Sequence, residues 1–185
     1  MQTAPKKVQV TRIYNIPHGR FGRFKLMSMS EDLKRVISKR IDDLEISMIE
    51  GGDLIDIPVK HLFCHGMYVR EVTCPTGSLV TTKIHKTEHP FTVSKGRIRV
   101  MLEDGTWSEV SAPYTGITKK GTRRVCYILE ECVWTTYHPY RGMKYEYNFL
   151  PPDQLEAIID RIERRVVEKH HIELKDIRRK ELCHS

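Results

Sequence analysis

No apolar run in the chain approaches the ~20 residues that a membrane-spanning helix needs, and no secretory-signal pattern opens it. Membrane spanning and Sec-type secretion are therefore not expected. No CxxC pair is present: Cys64, Cys74, Cys126, Cys132 and Cys183 form an odd, widely spaced set. That argues against a zinc ribbon and a secreted disulfide framework, and for reduced thiols acting as small apolar core fillers in a cytosolic compartment. Glycine-rich phosphate loops, GxSxG nucleophile elbows and internal repeats are also missing.

What remains is an ordinary composition. The 185 residues are 39% hydrophobic and 30% charged, too apolar for a disordered chain and long enough for one domain with appendages. The net charge of +7 is unevenly placed. Residues 1–40 carry ten basic side chains and two acids, whereas the remainder carries 21 basic and 22 acidic residues. The basic excess is a property of the N-terminal segment, and the rest is electrically balanced.

Three regions follow from the patterning, with boundaries at 1–56, 57–139 and 140–185. The first is a basic arm with weak strand character near Val8–Tyr14, followed by an amphipathic helix. Ser28 and Glu31 have capping-box spacing, Leu33, Val36, Ile37, Ile41, Leu44 and Met48 recur on one face, and Gly51-Gly52 stops the run. The second region reads as short strands separated by turn residues: Val59–Phe63, Tyr68–Thr73, Leu79–His85, Phe91–Val93, Arg97–Glu103, Trp107–Val110, Arg124–Glu130 and Val133–His138. Strands at this spacing predict a sandwich, jelly roll or small barrel. The third is an aromatic connector ending in Pro151-Pro152, a helix beginning at Asp153 with Glu156 in a second capping box, and a charged tail. In that helix Leu155, Ile158, Ile159, Ile162, Val166 and Val167 share a face. Arg161, Glu163, Arg164, Arg165 and Glu168 read as its solvated side.

The segment Gly77–Gly96, GSLVTTKIHKTEHPFTVSKG, resembles the first motif of the cupin superfamily. Gly77 and Gly96 stand at the motif's bounding glycines, Lys83 and His85 at its two histidines, and His89 at its glutamate. The second motif has its nearest match in Lys119–Arg124, with Arg124 where a histidine would stand. The segments IHKTEH and VWTTYHP narrow the likeness, over about residues 57–139, to small cupin-like proteins encoded by tailed bacteriophages. The resemblance implies a mainly β fold with flanking helices, a cupin-type double-stranded β-helix or jelly-roll barrel, often dimeric. It also implies a location in the cytoplasm of an infected host or in the virion.

Strand alternation puts Thr81, Lys83 and His85 on one face, and Trp134, Thr136 and His138 on another. His89 lies just past a turn and returns beside His85. If 124–130 and 133–138 form a hairpin, His138 falls opposite Arg124. The candidate metal ligands are His85, His89 and His138, three imidazoles suited to Zn, Fe, Ni or Mn. The candidate ligand-binding residues are Lys83, Arg124 and Glu88, the two cations suiting a phosphate or carboxylate. A cation at Arg124 also opposes a metal nearby, so a metal-free, anion-binding mouth is a competing expectation.

Four functional classes stay open. One is a metal-dependent enzyme acting on a sugar, nucleotide or small acid, and another is a non-catalytic binder of a small anionic ligand. The third is a structural or assembly protein, virion-associated or oligomeric, using the arm and outer helices. The fourth is a nucleic-acid binder through the basic, Phe-containing stretch His18–Lys25. His170-His171 reads as a surface pair near a helix end. A homodimer is expected from the family likeness.

Overall fold

A computed structural model describes residues 9–11, 31–52, 54–57, 59–102 and 104–169. The basic stretch His18–Lys25, Ser28, His170-His171 and Cys183 lie outside the described residues. The chain order begins with β1 (Gln9–Thr11), α1 (Glu31–Glu50), β2 (Leu54–Asp56), β3 (Val59–Cys64) and β4 (Met67–Cys74). It continues with β5 (Leu79–Thr81), β6 (Ile84–His85), β7 (His89–Met101), β8 (Trp107–Ser111), β9 (Tyr114–Thr118) and β10 (Val125–Pro139). A 3-10 turn (Tyr145–Phe149), α2 (Pro152–Val166) and β11 (Val167–Lys169) complete it. The architecture is mainly β and antiparallel with two helices, as the patterning predicts.

Two long strands organise the sheet. β10 runs antiparallel along β7 from Cys126↔Val100 to Thr136↔Phe91. On its other edge it pairs first with β5 and then with β4. β7 in turn pairs with β9 through its first half and with β8 through its second. The inward faces of these strands supply Val93, Ile98, Cys126, Ile128 and Cys132, all fully buried. The cysteines Cys74, Cys126 and Cys132 are free and buried, the core-filler role expected of them, whereas Cys64 is free and exposed and does not fill the core. β1 and β2, from the chain before residue 57, belong to the same sheet.

Several strand expectations are corrected. Phe91–Val93 and Arg97–Glu103 are one strand, because Gly96 is a bulge and not a turn. It sits at φ +84°, and a Cβ there would collide with the Glu131 carbonyl, so only glycine lets β7 continue past β10. The hairpin expected between 124–130 and 133–138 does not form either. β10 runs straight through, with register irregularities between Ile128 and Trp134 and with Glu130 and Glu131 exposed. Leu79–His85 breaks into β5 and β6. β9 was not anticipated, since Pro113 and Gly116 weaken its strand signal.

The helices dock differently. On α1 the residues Ile41, Glu45 and Met48 are buried, while Leu33 and Val36 near its start are exposed. Gly52, at φ +69°, donates to Ile49 O and ends the helix. α2 begins one residue earlier than expected, with Pro151 as N-cap and no side-chain cap bond. The Asp153–Glu156 capping box therefore does not form, because Asp153 lies inside the first turn. α2 packs Ile162 and Val166 against Phe63, Tyr68 and Met143, and each such side chain fully buried contributes roughly 1.5–3 kcal/mol. β11 then pairs with β6, placing Val167 opposite His85. No helix among the described residues is long and apolar enough to cross a membrane.

Candidate metal and anion site

His85 closes β6 and His89 opens β7, so a short loop holds the two rings 4.6 Å apart. The third histidine arrives from β10 by strand register. Thr136 pairs with Phe91, so His138, two residues on, comes level with His89. Its ring lies 4.3 Å from His89 and 4.9 Å from His85. The candidate ligand atoms of all three lie within 4.8 Å of one another. His89 and His138 are each 1% exposed. The structure thus brings together the trio that the sequence singles out, though the hairpin expected to deliver His138 is replaced by one continuous strand.

The hydrogen bonds suggest which nitrogen each ring leaves open. His89 Nδ1 lies 3.3 Å from Thr87 O, a carbonyl that only accepts, so Nδ1 carries the proton and Nε2 a lone pair. Thr136 Oγ1 donates to Arg70 O at 3.3 Å and lies 3.0 Å from His138 Nε2, so Nε2 is the donor there. His138 Nδ1 is then a buried acceptor, and it has no hydrogen-bond partner among the described residues. Burial holds all three rings neutral. Desolvation, with His89 and Arg70 nearby, lowers His85 to about 3. Desolvation, with His89 and His85, lowers His138 to about 2. His89 is lowered by the same burial. Neutral imidazoles with free lone pairs are the form that binds a metal.

These rings line a cavity of about 100 Å³, room for a few waters or a compact ligand group. Thr81, Lys83 and His85 share the wall as expected, although Lys83 lies in the break between β5 and β6. Trp134 and Thr136 line it beside His138. Arg124 lines it too; its N–H donates to Thr82 Oγ1, and its side-chain Nε is buried without a partner among the described residues. Glu88 is exposed and is not on the cavity wall. The turn matching the second motif is in place: Gly121 N–H donates to His85 O at 3.1 Å.

Three wall residues escaped the sequence reading. Arg70 contributes a second guanidinium from β4. Tyr68 stacks on His138 at 5.8 Å and bonds His61 Nδ1 through its hydroxyl at 2.7 Å. The helical pattern places Glu163 on the solvated face of the last helix. Instead it reaches the cavity and takes Lys83 Nζ on both carboxylate oxygens, at 2.8 and 2.7 Å. Its helical position lies one residue from Ile162 and three from Val166, at the border of the apolar stripe, the one signal that could have found it.

No protein-family model matches the chain, and no curated protein matches it. Solved structures similar to it include a cupin-2 domain protein from Shewanella frigidimarina, 17% identical, covering 44% of this chain and 79% of that one at a TM-score of 0.38. The cupin-2 domain of an XRE family transcriptional regulator from Enterobacter cloacae is 13% identical, covering 48% and 96% at 0.38. A polyketide cyclase from Streptomyces resistomycificus is 17% identical, covering 48% and 71% at 0.38. Each likeness covers less than half of this chain.

Proposed function

We propose that this chain is a cupin-type jelly-roll protein of the kind encoded by tailed bacteriophages, which binds a divalent metal at His85, His89 and His138 and a small anionic ligand beside it on Lys83 and Arg124. The observation that carries the metal is the meeting of three neutral imidazoles in one cavity, two buried and one half-buried, with His138 Nδ1 lacking any other partner among the described residues. Zn, Fe, Ni or Mn fits such a donor set. A bound ion would supply Lewis acidity to an oxygen ligand. Burial by the sheet and α2 limits water, and Thr87 and Thr136 fix the two buried rings through their second nitrogens.

The cations decide the charge of the second ligand. Arg70 and Arg124 both disfavour a metal bound alone, so an anion between them and the ion relieves the repulsion. Metal and anion should therefore strengthen each other's binding. The phage assignment rests on the segments IHKTEH and VWTTYHP, which also hold all three candidate ligands, and with it goes a place in the infected cell or virion as a dimer.

Elemental analysis of protein purified without a histidine tag tests the metal. The expected result is about one ion per chain in the wild type and none in a folded His138→Ala variant. A wild type that takes up none of the four metals on reconstitution, or a His138→Ala variant that loads as fully, overturns the reading.

A further inference from the structure

Four ionic side chains line the cavity, namely Arg70, Lys83, Arg124 and Glu163, and they are not equivalent. Lys83 and Glu163 are joined through both carboxylate oxygens, with side chains only 17% and 22% exposed. That is the arrangement in which an incoming carboxylate or phosphate would meet the same ammonium. Arg124, also on the cavity wall, keeps its Nε buried without a partner among the described residues. Thus one cation already carries an anion supplied by the chain, and another has a donor unused.

The helix that supplies the anion is anchored without it. Ile162 and Val166 sit in the apolar cluster with Phe63 and Tyr68. Lys86 N–H donates to Val166 O at 2.8 Å, and Lys86 Nζ to Arg164 O at 3.0 Å. β11 continues from the helix into pairing with β6. Glu163 can therefore leave Lys83 by rotating its side chain while α2 stays docked.

We propose that Glu163 is a specificity-determining residue, an internal occupant of the anion subsite at Lys83 that an incoming ligand must displace. This deepens the reading above and rests on its anionic ligand, not on its metal. Displacement selects by charge. A tethered carboxylate acts at an effective concentration on the order of millimolar or higher, so a free monocarboxylate exchanges like for like and gains little. A phosphate-type group, carrying about −1.5 to −2 at pH 7, gains more at Lys83 and also meets the unpartnered Nε–H of Arg124. The ligand class is accordingly a small phosphate or phosphomonoester, its phosphate end filling a space of about 100 Å³.

The test is calorimetric titration of the full chain with inorganic phosphate and with acetate, on metal-loaded and on chelator-stripped protein. Wild type should bind phosphate in preference to acetate. Glu163→Gln should bind phosphate at least tenfold more tightly and retain its metal, and adding Lys83→Met to it should abolish the gain. A folded Glu163→Gln variant with no gain, or one that loses its metal because Glu163 is itself a ligand, overturns the proposal. Should Glu163→Gln fail to fold, Glu163→Asp carries the same expectation with a smaller gain, and no gain there also overturns it. If wild type binds phosphate and the variants show no gain, this inference falls alone. If no form of the protein binds either anion, the anion half of the functional reading falls with it. The stripped protein keeps both outcomes separate from the metal.

Discussion

The two helices are held in place by opposite means. α1 is fixed by a buried ionic knot: Arg123, its side chain 4% exposed, donates to Ser38 O at 2.9 Å and pairs with Asp42 at 2.6 Å and Glu45 at 2.8 Å. α2 is fixed by an apolar face and by strand pairing, and its ionic contact of Glu163 with Lys83 falls inside the cavity. The knot at α1 lies apart from the cavity, whose wall includes no described residue of α1. Its service is indirect, since Arg123 belongs to the turn whose Gly121 N–H holds His85 O. An amphipathic stripe in the sequence therefore does not distinguish a helix that braces a site from one that forms its wall.

Breaking the knot should cost most. Arg123→Ala removes the buried guanidinium that faces Asp42 and Glu45, and should lower stability by about 3–5 kcal/mol. Replacing Arg123, Asp42 and Glu45 together with apolar residues of similar size should recover most of that loss. Chemical denaturation measures both, and a fully stable Arg123→Ala would show that α1 is held by Ile41 and Met48 alone. On the other side, Ile162→Ala should cost about 2–4 kcal/mol through a cavity under α2. Unlike Arg123→Ala, it should also raise hydrogen exchange at Ile84 and His85, whose strand pairs with β11. Equal protection there in both variants would erase the contrast between the helices.

Acid should separate the two sides more gently. His61 lies on the α2 side, and burial with Arg70 nearby lowers it to about 4 from 6.5. Between those values the unfolded chain binds more protons than the folded one, so stability falls as pH drops from about 6.5 toward 4. His61→Gln should flatten that fall by roughly 1–3 kcal/mol at pH 4. Thermal melts from pH 7 to 4 check this, and identical slopes in the two proteins would refute it.

Much of this was readable in the sequence, for reasons particular residues make plain. α1 shows itself by its stripe and by Gly51-Gly52, and His85, His89 and His138 by alternation and spacing. Turn-like residues misled where a strand bends without ending: Gly96 and the Glu130-Glu131 pair mark bulges, and nothing local distinguishes a bulge from a hairpin turn. Arg70 and Glu163 stayed hidden because their partners are remote. Lys83 and Glu163 are separated by 80 positions, and only the docking of α2 brings them together. The polar wall of the site is thus a tertiary property, whereas its imidazoles are nearly a local one.

One small contact in the 3-10 turn bears on how copies of this chain can meet. Asn148 accepts from Phe63 N–H at 2.9 Å through Oδ1 and donates to Phe63 O at 2.7 Å through Nδ2. Its amide thereby mimics a neighbouring strand at the outer edge of β3, which among the described residues pairs only with β4. A full stop is written into the sheet at that point, and a second chain cannot extend it there by main-chain pairing. Any symmetric assembly must be built through side chains or through another margin of the sheet.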